Sequence, residues 1–280
     1  MRILSGDFAN RSTLALHLMP SSEFTPPRLP PGLGKLPLSA DQRRYLRLTR
    51  TASYGFLAAL PLLLLYEIGL LFINRGAATG VRISADVWLK QMLAGIGLAG
   101  HLMLGAVVFL IGIVIFWRQR GVPLVRRYFW WIMVESVLWA CGLALTIGWF
   151  VSAIFGAALA PAMIAQLQVG RFEMLVLSLG AGLYEELFFR VLLVGGMAWL
   201  LVRATSLSRG KAYWIAAVAG ALLFSAVHYT GPFGDPFAVG SFSYRFLFGL
   251  ALNGLFLVRG FGVAAWTHAL YDVLVVLLIP

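Results

Sequence analysis

The chain has 280 residues, of which 60% are hydrophobic and only 12% are charged. Soluble domains carry about 25% charged residues, so this composition excludes an ordinary soluble globular protein and predicts a polytopic helical membrane protein. The net charge of +11 does not indicate nucleic-acid binding, because the basic residues cluster in the N-terminal tail and at the ends of apolar runs. Cys141 is the single cysteine, which excludes an internal disulfide.

Residues 1–49 form a tail rich in proline, serine and basic residues, and this composition predicts a mostly disordered segment. The last part of the tail, 41–50, has the character of a short basic helix that lies on an anionic membrane surface. We divide the rest of the chain into N-terminal transmembrane helices at 50–171 and a C-terminal transmembrane core at 172–280.

The apolar runs after the tail predict about seven spans and therefore an all-α membrane fold. The spans lie at roughly 52–73, 92–117, 129–150, 172–202, 212–229, 242–258 and 261–279. The stretch 151–168 is also apolar but contains Pro161. It is an eighth span, a re-entrant segment or a surface helix.

Loop charge predicts the orientation of the seven spans. One side of the membrane would hold most of the basic residues, in the tail, 118–127, 203–211 and Arg259. The other side would hold Arg75, Arg82, Lys90, Arg171 and Arg245. The positive-inside rule then places the N-terminus in the cytoplasm, and we expect a multi-pass protein of a bacterial inner membrane.

Three charged residues lie within one apolar run, in the pattern Glu185-Glu186-x-x-x-Arg190. Charges inside a bilayer are costly and usually functional. Glu186 and Arg190 are spaced i,i+4 and predict an ion pair. On an α-helix Glu185 is rotated by about 100° from Glu186, so it lacks a partner on its own helix and is suited to act as a general base. The alternative is that both acids pair with arginines of other helices.

Two further spans carry ionisable residues at the same i,i+4 spacing. Phe224 and His228 share a face at the end of the fifth span, and His268 and Asp272 share a face in the last span. Asp272 can hold one tautomer of His268. A structural histidine at a helix end and a private His–Asp ion pair are the alternatives. Glu67 and Glu135 also lie in spans, and we interpret both as structural.

Glu185, His228, His268 and Asp272 are therefore the candidate catalytic residues. If they converge, a carboxylate and two imidazoles can activate water and stabilise an oxyanion. Two histidines and a carboxylate also form a zinc site in some hydrolases, so Glu185, His228 and His268 are the ligands to expect if a divalent metal such as zinc takes part.

These motifs, in this order and on late apolar spans, resemble the three signature motifs of the CAAX protease and bacteriocin-processing (CPBP, or Abi) family, which is related to the Rce1-type prenyl-protein endopeptidases. The resemblance covers about residues 172–280. It implies a glutamate-dependent intramembrane endopeptidase in which Glu185 and His228 activate water, and His268 with residue 272 faces the oxyanion. Glu186, Arg190 and Phe224 would support them. The resemblance leaves metal dependence open.

Position 272 departs from the family pattern. The last motif commonly ends in asparagine, whose amide can donate to an oxyanion, whereas this chain has Asp272. An ionised aspartate would repel that charge, so Asp272 must be protonated, bind a metal or orient His268. We favour the last role.

The sequence thus predicts an enzyme that hydrolyses a peptide bond of a membrane-associated protein or peptide. A non-proteolytic membrane scaffold or immunity protein on the same fold is the alternative. A proton-coupled transporter would also explain buried acids, but no internal repeat pairs the two halves of the chain.

Overall fold

A computed structural model describes residues 35–74, 82–98, 103–156, 170–230 and 234–278. Within these ranges every regular element is a helix. The helices are α1 (Ala40–Leu48), α2 (Ala52–Asn74), α3 (Ser84–Gly95), α4 (Met103–Arg118), α5 (Arg126–Phe155), α6 (Arg171–Gly180), the π-helix π1 (Ala181–Gly195), α7 (Gly196–Ala204), α8 (Arg209–Val227), α9 (Val239–Arg259) and α10 (Phe261–Leu278).

The described residues confirm an all-α polytopic membrane protein. Six of their helices are long and apolar enough to cross a membrane, with α6, π1 and α7 forming one continuous span of 34 residues. The apolar helix α4 is shorter, with 16 residues. Five of the predicted spans match α2, the α6–π1–α7 span, α8, α9 and α10 to within a few residues.

The span predicted at 92–117 is wrong at its start. Residues 92–95 belong to α3, which ends at Gly95, and Gly97 then adopts a left-handed conformation with φ of 83°. Glycine in this conformation commonly ends a helix. The apolar run was therefore read through a helix boundary, and the shorter α4 begins only at Met103.

The uncertain stretch 151–168 falls partly within α5. That helix has 30 residues and continues to Phe155, and Gly156 ends it with φ of 85°. Residues 157–169 lie outside the described residues, so the possible eighth span stays a prediction. In the predicted tail, 1–34 also lie outside them, while α1 forms behind a capping box made by Ser39 and Gln42.

A buried ion pair fixes α1 to the bundle. Arg259 contacts the Glu135 carboxylate through Nε at 2.5 Å and Nη2 at 2.7 Å, and the Tyr45 hydroxyl donates to the same carboxylate at 2.5 Å. Burial and the Glu135 charge raise the pKa of Tyr45, so its hydroxyl remains a donor. We call this end of the bundle, with α1 and the start of α10, the α1 face. Glu135 is structural, as predicted.

The π-helix π1 packs against α2, α3, α8 and α10. At Gly182 the approach to α10 is backbone to backbone: a Cβ there would lie 2.5 Å from the carbonyl oxygen of Ala265 and 2.7 Å from the amide nitrogen of Ala269. The sequence predicted an α-helix at 181–195. The structure instead has the wider π-helical winding there, and such segments are frequent at functional sites.

We expect Gly182→Ala to destabilise the protein by about 1–3 kcal/mol, because the added methyl group must push π1 away from the backbone of α10. Unfolding in detergent micelles measures the change. Gly196→Ala is the matched control on the same span, since a Cβ at Gly196 meets nothing within 4 Å. Equal stability of the two variants would contradict the close approach.

Candidate active site

The predicted site residues lie on three neighbouring elements. Glu185, Glu186 and Arg190 lie on π1, His228 follows the last residue of α8, and His268 and Asp272 lie on α10. Because α10 and α8 both pack against π1, the helical packing brings these separate motifs to one region. His228 lies at the end of α8 that is opposite the α1 face.

His268 is the centre of this region and is only 3% exposed. Its Nδ1 lies 2.8 Å from Oε1 of Glu186, which is a hydrogen bond. Its Nε2 lies 3.6 Å from Oδ2 of Asp272 and 3.9 Å from Oε2 of Glu185. These two separations are too long for direct hydrogen bonds but suit a bridging water.

The predicted ion pair between Glu186 and Arg190 is present. Nη1 of Arg190 lies 3.0 Å from Oε1 of Glu186, and the two residues are 1% and 0% exposed. Nη2 of Arg190 also donates to the Gly249 carbonyl at 3.5 Å. Glu186 Oε1 is thus shared by Arg190 and His268, so the acid that neutralises the arginine also holds the imidazole.

This arrangement changes the interpretation of Asp272. We expected Asp272 to orient His268, but Nδ1 of His268 donates its hydrogen bond to Glu186. Asp272 instead lies at Nε2, on the side of the ring that faces Glu185.

Glu185 has no cationic side chain of Lys or Arg within ion-pair distance among the described residues. Its Oε2 is buried without a hydrogen-bond partner there.

His228 is held in one orientation by its own helix. Nδ1 lies 2.7 Å from the Phe224 carbonyl oxygen. Because a carbonyl can only accept, Nδ1 carries the proton, and Nε2 of a neutral ring is left as an acceptor. The Phe224 ring packs edge-on against both imidazoles, with centroid distances of 5.0 Å to His228 and 5.9 Å to His268.

Phe224 also lies under the Arg190 guanidinium, whose carbon is 4.6 Å from the ring centroid. The aromatic ring therefore contacts both histidines and the buried arginine.

Helix α9 forms a wall of the site that the sequence pattern did not indicate. We counted Arg245 among the loop charges, but it lies in α9, is 6% exposed, forms an ion pair with Asp235 and packs over the Tyr229 ring at 5.0 Å. A charge inside the predicted span 242–258 was the signal that we overlooked. Phe248, one turn further along α9, packs on the His268 ring at 5.5 Å.

Two other acids stabilise the packing of helices near the site. Tyr184 of π1 donates to Oε1 of Glu67 on α2 at 2.7 Å, which agrees with the structural role predicted for Glu67. Asp86 of α3 is fully buried and pairs with Arg82 at 2.9 Å and Lys90 at 2.7 Å. The sequence analysis did not single out Asp86, because α3 had not been recognised.

The residues suggested as zinc ligands do not form a metal site in the described part of the chain. No group of three His, Cys, Asp or Glu side chains there converges on one position, and this includes the set Glu185, His228 and His268. We therefore assign no step to a metal.

Comparison with known protein families agrees with this geometry. Residues 166–274 match the family described as type II CAAX prenyl endopeptidase Rce1-like, and the match includes each motif residue. This segment is thus similar to an Rce1-like domain, which is consistent with the resemblance to the CPBP family. Comparisons with curated proteins and with solved structures each gave no match.

We expect Arg190→Met to lower the free energy of unfolding by about 3–5 kcal/mol, because it leaves the fully buried Glu186 without its cation. The double variant Glu186→Gln with Arg190→Met removes both charges and should recover part of the loss. Arg209→Met, at an exposed arginine, is the control. If Arg190→Met were as mild as Arg209→Met, the buried pair would not be needed for stability.

Proposed function

We propose that the protein is an intramembrane endopeptidase in which Glu185, assisted by His228, activates a water molecule that hydrolyses a peptide bond of a membrane-associated protein or peptide. One observation carries the proposal. The Glu185 side chain is 13% exposed, and its buried Oε2 lies 3.9 Å from Nε2 of His268, a gap that one water can bridge.

In the first step the water oxygen bonds to the carbonyl carbon of the scissile peptide, and a proton of the water passes to the Glu185 carboxylate. The carbonyl π-electrons move onto oxygen to form a tetrahedral oxyanion. In the second step the oxyanion collapses and the C–N bond breaks. The proton on Glu185 passes to the leaving amine, which restores the carboxylate.

His228 and His268 have different roles in this proposal. With Nδ1 bonded to the Phe224 carbonyl, the Nε2 lone pair of His228 can accept a hydrogen bond from the attacking water and orient it. His268 presents the opposite polarity. With Nδ1 donating to Glu186, the ring must be protonated to carry a second N–H at Nε2, and this Nε2–H can reach the carboxylates at 3.6 and 3.9 Å through a bridging water and donate to a developing oxyanion.

Glu186 and Arg190 act as positioning residues. The hydrogen bond from Nδ1 of His268 to Glu186 fixes the ring plane, and Arg190 keeps that acid charged in a dry interior. Asp272 accepts from the Nε2–H of His268 through the bridging water until substrate arrives. In this role an asparagine oxygen can replace the carboxylate, which agrees with the family pattern.

The orientation of the enzyme follows from the distribution of basic residues. We propose that the α1 face is cytoplasmic, in a bacterial inner membrane, because the tail, 118–127, 203–211 and Arg259 carry most of the positive charge. His228 then lies toward the other side of the membrane.

We expect Glu185→Gln to remain folded and to lose peptide cleavage by a factor of about 10²–10⁴, because the amide cannot take up the proton of the water. Proteomics of new protein termini, in cells that express the wild type or Glu185→Gln, should first identify a cleaved substrate. A peptide that spans the cleavage site then serves in assays with the purified protein.

Glu173→Gln is the matched control, since Glu173 lies in the first turn of the same span and outside the site. It should cleave at the wild-type rate. Full activity of a folded Glu185→Gln protein would refute the mechanism. Loss of cleavage without loss of the cellular phenotype would favour the scaffold or immunity function.

We expect Asp272→Asn to keep substantial cleavage and Asp272→Leu to lose far more, because asparagine retains an oxygen that can accept from His268 and leucine does not. The values of kcat and KM with the same peptide measure both effects. Equal loss in the two variants would show that the negative charge of Asp272, and not its acceptor oxygen, is required.

A further inference from the structure

A cavity lies away from the candidate active site. It has a volume of about 410 Å³ and is bounded by α2, α4, π1 and the turn between α9 and α10. On π1 its wall is formed by Leu183, Leu187 and Val191, while Glu185 and Glu186 are not part of it. The cavity therefore belongs to another face of the same helix. We call it the α2–α4 cleft.

The cleft is apolar along its length and opens sideways. On α2 its wall extends from Ala52 to Leu63, which is about 16 Å at 1.5 Å per residue. Ile111 of α4 and Leu257 of α9 line it and are 54% and 49% exposed. In a bilayer these side chains meet hydrocarbon, so a lipid chain can enter the cleft without crossing a polar region.

The polar end of the cleft lies at the α1 face. Arg50 and Thr51 line it there, and Nη2 of Arg50 donates to the Leu257 carbonyl at 3.2 Å. Gly260 has φ of 86°, and a Cβ on it would lie 3.3 Å from Cα of Arg50. This close approach of two turns holds the arginine at the opening.

Arg50 is in an environment that favours an anion. Burial and the nearby positive charge of Arg259 both lower the pKa of its guanidinium, although arginine remains charged at neutral pH. A negative group at the opening would relieve this repulsion.

We propose that the α2–α4 cleft binds one anionic phospholipid, with an acyl chain along the apolar wall and the phosphate at Arg50. The apolar length of the cleft selects a hydrocarbon chain, and the guanidinium at its end selects a phosphate, which it can bind through two N–H groups. The site is independent of the proteolytic mechanism. It contacts the catalytic helix only through Leu183, Leu187 and Val191.

The test uses the full-length protein, purified in a neutral detergent and stripped of lipid. Dioleoyl phosphatidylglycerol should raise the unfolding temperature in a saturable manner, because a ligand that binds only the folded state stabilises it. Dioleoyl phosphatidylcholine should need a concentration about tenfold higher, since its headgroup carries no net charge. Native mass spectrometry should detect one retained phosphatidylglycerol.

Two pairs of variants locate the site. Ile111→Trp fills the lateral opening and should abolish the shift, whereas Leu110→Trp, at a 59% exposed neighbour outside the cleft, should not. Arg50→Gln should weaken the response to phosphatidylglycerol about tenfold. Arg126→Gln, at an exposed arginine of the same face, should leave it unchanged. Both tryptophan variants lie on lipid-facing positions and so leave the helix packing intact.

Three outcomes would overturn the proposal. A wild-type response in Ile111→Trp would show that the lipid binds elsewhere, and equal responses in Arg50→Gln and Arg126→Gln would remove the phosphate contact. Saturable stabilisation by the isoprenoid alcohol farnesol, with no competition from phosphatidylglycerol, would assign the cleft to an isoprenoid chain. None of these measurements uses peptide cleavage. A failure of the lipid-binding proposal can therefore be distinguished from a failure of the proposed proteolytic mechanism.

Discussion

Oxygen Oε1 of Glu186 connects the two groups on which the candidate site depends. It lies 3.0 Å from Arg190 and 2.8 Å from Nδ1 of His268, and all three residues are almost completely buried. A buried charge without a partner is costly. Arg190 compensates the charge of Glu186 inside the membrane, and Glu186 in turn fixes the orientation of the His268 ring. The same carboxylate oxygen therefore sets both the charge balance and the ring orientation.

The packing of π1 against α10 makes this contact possible. Gly182 allows the two backbones to approach at Ala265 and Ala269, next to His268. From this position Glu186 reaches one nitrogen of the imidazole, while Glu185 lies near the other. Two adjacent glutamates thus meet opposite edges of one ring, with one bonded and the other separated by the width of a water.

The two faces of π1 serve different environments. The side with Glu185 and Glu186 meets histidines and an arginine, and the side with Leu183, Leu187 and Val191 borders an apolar cleft. Phe224 packs between the histidines and beneath Arg190. Water chemistry inside a bilayer requires such separation, because charges must be shielded from hydrocarbon while substrate still has access.

Much of this could be predicted from residue patterns, because hydrophobic length and i,i+4 spacing are local. The all-α fold, five of the spans, the Glu186–Arg190 pair and the structural role of Glu135 follow from such local rules. The boundary at Gly97, the π-helical winding of 181–195 and the inward position of Arg245 did not follow. The position of Arg245 depends on its contacts with Asp235 and Tyr229, which lie outside its own helix and which a local pattern does not contain.

The sequence by itself determined which polar residues must be removed from lipid, since the cost of a charge in hydrocarbon does not depend on the neighbours that finally satisfy it. Only the tertiary structure decided the pairing: Glu186, and not Asp272, bonds Nδ1 of His268, and Glu185 faces Nε2. These residues lie on different helices, and the rotation and tilt of each helix set which atoms meet.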